Sequence, residues 1–330
     1  MILRQIAAMA LWLAAAIPLN LFVLSAFVRL SRHTPRAGPG RPSAGSDDQR
    51  IWRFVEDNLD YIGRRRGDEG LGTRYERMMV DRLLLRIARQ HGVRKALESP
   101  ADGITGVPGA NSLALAGVLD QPMLLCSPSS RLLESARGTW QGKGMGGRIK
   151  VLRAPIAKIP LADGGLDLAW SFCMLEKLSD PAGYLREMAR VSSNLVLAVA
   201  VNDANPGNAL HRRYHRLTGG EWDHGSRELS RTGGLERVFR LAGLEVLEAG
   251  AVDAPPSWDT QDMPLKDDIQ RVAGWLGKRW EWGLDTDAGD AGGLGFFRWL
   301  EDGLPPWFRR RIAHHLYVLG TVRRAKAPCH

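Results

Sequence analysis

Residues Val151–Val191 read VLRAPIAKIPLADGGLDLAWSFCMLEKLSDPAGYLREMARV. The stretch begins inside an apolar run, Ile149–Arg153, that reads as a strand. A turn rich in Pro and Gly leads from it to LDLAWSF, Leu166–Phe172, a second strand. Asp180 stands where a helix would be capped and Pro181 where it would open, since proline's fixed φ suits the first helical position and its missing N–H is not needed there. In AGYLREMARV the apolar positions then recur at helical spacing. The next segment, LVLAVAV at Leu195–Val201, is apolar at every position. An alternating pattern would leave one face in water; this continuous one predicts a central strand covered on both faces.

Outward from this stretch the alternation continues. Val93–Glu98, Pro122–Cys126 and Leu244–Val252 read as strands, and Asn111–Leu119, Ser129–Trp140 and Gly233–Ala242 as helices. Strands alternating with helices of roughly ten residues predict an α/β fold with a doubly wound sheet of mostly parallel strands. Such sheets bind ligands outside the carboxyl ends of their strands. Upstream, a stripe of Tyr75, Met78, Met79, Leu83, Ile87 and Ala88 predicts a helix over Thr73–Gln90. Ser46 precedes another helix-like stretch, DDQRIWRFVEDNLDYI, with carboxylates in its first turn.

The 330 residues are 44% hydrophobic and 25% charged, which is the composition of a globular protein with a full core. The net charge is +9, but Arg4, Arg29, Arg32, Arg36 and Arg41 supply five of those charges within the first 45 residues, where no carboxylate occurs. The remainder carries only short basic runs, Arg64–Arg66 and Arg309–Arg311, and no nucleic-acid partner is expected. Three cysteines, Cys126, Cys173 and Cys329, are odd in number and lack metal-ligand spacing; reduced thiols and no metal are expected.

Ile6–Val28 contains no charge over 23 residues. At about 1.5 Å per residue a helix of that length reaches roughly 35 Å, enough for a hydrocarbon core of about 30 Å. The run is longer than a signal-peptide core and ends in Phe27-Val28-Arg29 rather than in small residues. An uncleaved single-pass membrane anchor in the lipid bilayer is therefore expected over residues 6–28. Arg29, Arg32, Arg36 and Arg41 follow it and place the larger part of the chain in the cytoplasm. The expected organisation is an anchor over 1–30, a Pro/Gly linker over 31–45, helices over 46–92, a core over 93–253, a Trp-rich insertion over 254–311 and a last strand and tail over 312–330.

The order of elements and the local chemistry resemble the class I S-adenosylmethionine-dependent methyltransferases over roughly residues 74–256 and again near 311–324. The features that carry the resemblance are Ile159-Pro160-Leu161 before Asp163, Gly165 and Asp167 at the start of a strand, Leu175-Glu176-Lys177-Leu178, the Asp180-Pro181 helix start, and Glu187 with Arg190-Val191. HHLYVLGTVRR, His314–Arg324, resembles the antiparallel last strand of that Rossmann-like fold. The resemblance implies S-adenosylmethionine as cofactor, with Glu98 at the end of the first strand and Asp102, Gly103 and Gly106 in the turn beneath its amino-acid moiety. Ser127 and Ser171, at the ends of the second and fourth strands, complete the expected cofactor contacts. The chain departs from the pattern at Pro100, where a glycine is expected, at Ser127, where a carboxylate would accept the ribose hydroxyls, and at Pro155, where an Asp is common. No Gly-x-Gly-x-x-Gly occurs in this first turn, which excludes the dinucleotide signature.

Beyond the fifth strand, NDANPGNALHRRYHRLTGGEWDHG (Asn202–Gly225) is the densest polar stretch. Asp203, His211 and His224 are the candidate general bases; capping and hydrogen bonding around a loop is the alternative reading. The insertion holds Trp258, Trp275, Trp280, Trp282, Trp299 and Trp307, six of eleven tryptophans, as a buried cap, a lid, or a face at the bilayer interface. The expectation is a membrane-anchored methyltransferase acting on a small-molecule, apolar or lipid-linked acceptor. The alternative is a membrane-bound scaffold that kept the fold and lost the cofactor.

Overall fold

The structure, a computed structural model, describes residues 2–33, 51–52, 55–56, 59–60, 70–101, 106–218, 225–257 and 294–322. Nearly all of the expected linker, together with Asp102, Gly103, His224 and four tryptophans of the insertion (Trp258, Trp275, Trp280 and Trp282), lies outside the described residues.

Among the described residues seven strands form one sheet in the order β3-β2-β1-β4-β5-β7-β6. They are β1 (Ala96–Glu98), β2 (Met123–Ser127), β3 (Ile149–Arg153), β4 (Leu166–Phe172), β5 (Ser192–Val201), β6 (Leu244–Val252) and β7 (His315–Val322). β7 runs antiparallel to both β5 and β6, between which it is inserted; the other pairs are parallel. The helices are α1 (Ile2–His33), α2 (Gly70–His91), α3 (Leu113–Ala116, after a 3-10 turn at Ala110–Ser112), α4 (Ser130–Gly142), α5 (Pro181–Val191), α6 (Pro206–Thr218), α7 (Arg227–Ser230), α8 (Gly234–Leu241), α9 (Leu294–Gly303) and α10 (Pro306–Ile312). α2 packs on α3 and α4 on β2 and β3, while α5 packs on α8, β4 and β5. Right-handed crossovers to either side of β1 and β4 put these two groups on opposite faces.

The turn and helix signals of Val151–Val191 act as structural fasteners. Asp167 Oδ2 accepts the backbone N–H groups of Arg94 and Lys95, each at 2.9 Å, and so pins the start of β4 to the start of β1. Glu187 Oε1 accepts the N–H of Ile159 at 2.7 Å, and Arg190 donates to the carbonyls of Ile159 (2.8 Å) and Leu161 (2.9 Å) and pairs with Asp163. The Ile159–Asp163 turn is thereby strapped to α5, and Arg190 holds the Glu187 carboxyl below the usual range. Asp180 caps α5 through Gly183 N at 2.7 Å, and Ser129 caps α4 through Leu132 N at 3.2 Å.

The crossover leaving β1 contains Gly106 and Gly109 at φ 78° and 74°, where a side chain is strained. A Cβ on Gly109 would also stand 2.9 Å from Trp140 Nε1, which donates to the Gly109 carbonyl at 3.0 Å. The fully buried Trp140 thus ties the crossover to α4.

α1 does not stand clear of the domain. Ala8, Trp12, Ala16 and Asn20, four residues apart, form a buried stripe against α9, α10 and the junction of β6 with β7. Trp12 Nε1 donates to the Ala254 carbonyl at 3.0 Å and Asn20 Nδ2 to that of Pro256 at 3.3 Å. Gly303 lets Ala8 approach, since a Cβ there would lie 2.7 Å from the Ala8 methyl. The rest of the Ile2–Phe22 span, long and apolar enough to cross a membrane, is largely exposed.

A buried polar network joins α2, β6, α9 and β7. Glu301 accepts the N–H groups of Asp253 (3.1 Å) and Ala254 (2.7 Å) and the hydroxyl of Tyr75 (2.8 Å). Asp253 Oδ2 meets His314 Nδ1 at 2.9 Å and His315 Nδ1 at 3.6 Å, while His315 Nε2 lies 3.5 Å from Glu76 Oε2. Burial, reinforced by Asp253, pushes Glu301 up to about 7. Burial alone would lower His315, but Asp253 and Glu76 outweigh it and hold the imidazole above its ordinary value.

Gly109→Ala is expected to cost about 2 kcal/mol or more, and Trp140→Phe about 1 kcal/mol from the lost hydrogen bond, both read by urea denaturation. Glu301 and His315 both bind protons more tightly in the folded state, so their stabilisation is full on the acid side and is lost as pH rises. For Glu301 the window runs from its ordinary 4.5 to about 7. The melting temperature should therefore fall across that interval, and Glu301→Gln should flatten the slope there.

Candidate functional site

Between β1 and β4 the strand order reverses, and in an open α/β sheet the crevice at such a point is where ligands bind. Glu98 ends β1 there. It pairs in register with Leu125 of β2 and Trp170 of β4, and side chains alternate along a strand. Glu98, Ser127 and Phe172 therefore project from one face, that of α2 and α4, and Ser171 from the other. Ser112 Oγ, at the end of the crossover, donates to Glu98 Oε2 at 2.5 Å. Gly106 follows the expected turn with the positive φ that the close backbone path requires.

The expected contacts are thus only partly brought together. Glu98 and Ser127 lie on one face beside the crevice, and Gly106 stands in the crossover that leaves β1. Ser171 is turned to the α5 side, where its hydroxyl is buried with no hydrogen-bond partner among the described residues. Alternation from Glu98's register is the reason, and it removes Ser171 from the cofactor set.

Glu98, Ala101 and Ser127 are fully buried. Beside Ser127, the helical residues 51–52, 55–56 and 59–60 pack in: Ile51, Val55 and Leu59 join the main core, Ser129 Oγ donates to Glu56 Oε1 at 3.3 Å, and Arg131 pairs with Asp60. Ser127 Oγ accepts the N–H of Ser129 at 3.2 Å. This donor set fits the cationic methionine end of S-adenosylmethionine, since a carboxylate ends β1 beside a glycine-bearing crossover. At the ribose end it offers a neutral, buried hydroxyl, Ser127, in place of a carboxylate.

On the acceptor side, β4 runs into Phe172, Cys173 and Met174, all buried. Cys173 adopts φ 49°, unusual for a residue with a side chain, and its N–H bonds to the Val199 carbonyl at 2.8 Å. Asp253, at φ 67°, takes the same conformation at the end of β6. Both strained residues stand at carboxyl ends of strands, where function concentrates. Glu176 follows, with Oε1 accepting the N–H of Val201 at 3.2 Å.

Of the candidate bases, Asp203 is committed elsewhere. Its carboxylate is bound by Arg212 and by Arg227 (3.1 Å), with Arg231 at 3.8 Å, so it is an ion-pair centre rather than a base. His211 and His215 do share a face of α6, with their Nε2 atoms 3.1 Å apart. The surrounding asparagines are latches: Asn202 Nδ2 donates to the Arg310 and Ala313 carbonyls, and Asn205 Nδ2 to that of Ile312. The capping reading of this polar stretch accounts for these contacts.

The group missed in the sequence is Glu76, Asp253 and His315, whose ligand-type atoms lie within 4.8 Å of one another. His315 also contacts Phe172, with ring centroids 5.1 Å apart, which brings the group next to the end of β4. The only local signal was the His314-His315 pair opening the last strand; its partners are distant in sequence.

No curated protein sequence matches the chain. Among solved structures, the fold is similar to that of the cyclase SpnF, with a TM-score of 0.51 and 16% identity over 87% of this chain and 100% of that one. It is also similar to an S-adenosylmethionine-dependent methyltransferase from Thermotoga maritima (TM-score 0.47, 14% identity, 83% of this chain and 99% of that one). A third is geranyl diphosphate methyltransferase in complex with S-adenosylmethionine (TM-score 0.41, 10% identity, 88% and 96%). Residues 105–194 match the model of the methyltransferase domain family, a segment that runs from the crossover after β1 into β5. Over that segment the chain is similar to the methyltransferase domain family, and the described seven-stranded sheet, with β7 reversed, is the fold expected of it.

Proposed function

We propose that this methyltransferase works at a lipid bilayer, to which α1 attaches it, and that its acceptor is apolar or lipid-linked. The observation that carries the reading is the outer surface of α1, where Leu3 is 83% exposed, Ile17 62% and Leu21 60%. Side chains of this kind side by side on a helix call for an apolar medium. Trp299 and Trp307, exposed on the neighbouring α9 and α10, add residues favoured at the headgroup level.

S-adenosylmethionine, when bound, supplies a methyl group on a cationic sulfur that a nucleophile displaces in line. The chain's own part is to bind, to orient and to exclude water. Glu98 sets a negative charge at the end of β1 for the cationic end of the cofactor. The buried Phe172, Cys173 and Met174 at the end of β4 keep water from the transfer site, which strengthens the electrostatics there and strips the nucleophile of its shell. With Asp203 engaged by arginines, alignment and desolvation carry this reading of the reaction. A scaffold that no longer binds cofactor is the second reading, favoured by the complete burial of Glu98 and Ser127.

Calorimetric titration of the full chain in detergent with S-adenosylmethionine separates the two. Binding that Glu98→Ala weakens at least tenfold is expected, about 1.4 kcal/mol or more. Asp203→Asn should lower the melting temperature and leave the affinity unchanged. No heat and no thermal shift with the wild-type chain would leave the scaffold.

A further inference from the structure

We infer that α1 lies along one leaflet of the bilayer, docked on the domain, rather than crossing the membrane. This deepens the membrane reading above and rests on it. The stripe that binds α1 to the domain, Ala8 to Asn20, takes up more than half of the apolar run Ile6–Val28. A spanning α1 would carry that stripe into hydrocarbon. Trp12 would lose Ala254, Asn20 would lose Pro256 in a medium that offers no replacement, and Ala251, Leu304, Ile312 and Leu316 of the domain would be uncovered to water. The domain cannot follow the helix inward, because Arg298, Asp302 and Arg311 are exposed on the two helices that hold it. Docked and spanning states of α1 therefore exclude each other, and the packing belongs to the docked one.

The docked helix still needs a partner for its outer face. Ile6, Leu13, Ile17 and Leu24 recur there at helical spacing and are 40–62% exposed. The surface continues onto the domain: Phe308 packs edge-on against Trp12 (5.5 Å between centroids) and against the exposed Trp307 (5.6 Å), while Phe296 stacks on Trp299 (6.2 Å). Arg4, Arg298 and Arg311 are exposed on the same three helices, and α1 bears no carboxylate. Apolar side chains with tryptophans and arginines on the same elements suit one leaflet of an anionic bilayer, with the hydrocarbon under α1 and the headgroups at the arginines.

The test uses the full chain with Cys329→Ser, since Cys126 and Cys173 are buried. A fluorophore is placed in turn at Ile6→Cys, Ile17→Cys and Val28→Cys, and its depth is read with lipid-borne quenchers in vesicles of phosphatidylcholine and phosphatidylglycerol. The expected result is one shallow depth for all three probes, with Gly303→Leu, which pushes Ala8 away, shifting the Ile17 probe. A deep Ile17 probe between shallow Ile6 and Val28 probes would overturn the in-plane helix and leave membrane attachment standing. Failure to float with the vesicles would overturn both, and a soluble dimer in that case would mark a second copy of the chain as the cover. S-adenosylmethionine binding, measured on the same samples, reports separately on the methyltransferase reading.

Discussion

The pairing of β1 with β4 is the constraint on which the rest of the molecule depends. It is the point where the chain stops winding to one side and starts winding to the other, so the crevice for a ligand opens there. One side chain fixes it at the far end: the Asp167 carboxylate gathers the N–H groups of Arg94 and Lys95. That contact sets Glu98 opposite Trp170, and through alternation decides which residues reach the crevice and which are turned away. A slip of one residue would exchange Glu98 for a leucine or a serine.

The residues that give this chain its family likeness are thus mostly fasteners. Asp167, Glu187 and Arg190 satisfy backbone groups in turns that would otherwise be left unpaired, and such contacts hold whatever reaction the crevice supports. In the proposed reading the chemistry rests on fewer groups: Glu98 with its Ser112 partner, the glycine crossover, and the apolar end of β4. This division explains how the family pattern can persist while Ser127 stands where a carboxylate is usual.

α1 places a second constraint on the chain. A helix that is apolar all round finds a solution only inside a protein or in lipid. Here the protein covers a narrow stripe, made close by Ala8, Ala16 and Gly303, and much of the remaining circumference stays exposed, the face proposed above to meet lipid. The same contacts bring α9 and α10, and through Glu301 the buried Asp253 and His315, into one unit with the helix. α1 and the carboxyl ends of β6 and β7 are in this way mechanically joined.

The amino-acid sequence by itself determined the elements whose signals are local. β3, β4 and β6 begin and end where their apolar runs do, and α4 and α5 start at the Ser129 and Asp180 caps, because a period or a cap acts within a few residues. The fold class followed from their alternation, and the glycine crossover and Glu98 from their place after the first strand. Tertiary structure alone decided the contacts between distant segments. Asp203 is itself a candidate base in the sequence, yet three arginines surround it in space. Glu76, Asp253, Glu301 and His315 give no sign of one another until α2, β6, α9 and β7 are assembled. Ser171 looked like a ligand residue from its position at a strand end, and only register showed which way it points. Hydropathy could measure the length of α1, but it could not show that Trp12 and Asn20 hydrogen-bond to carbonyls more than 200 residues away. Periodicity is a property of a segment, whereas burial, ion pairing and orientation are properties of what is packed against it.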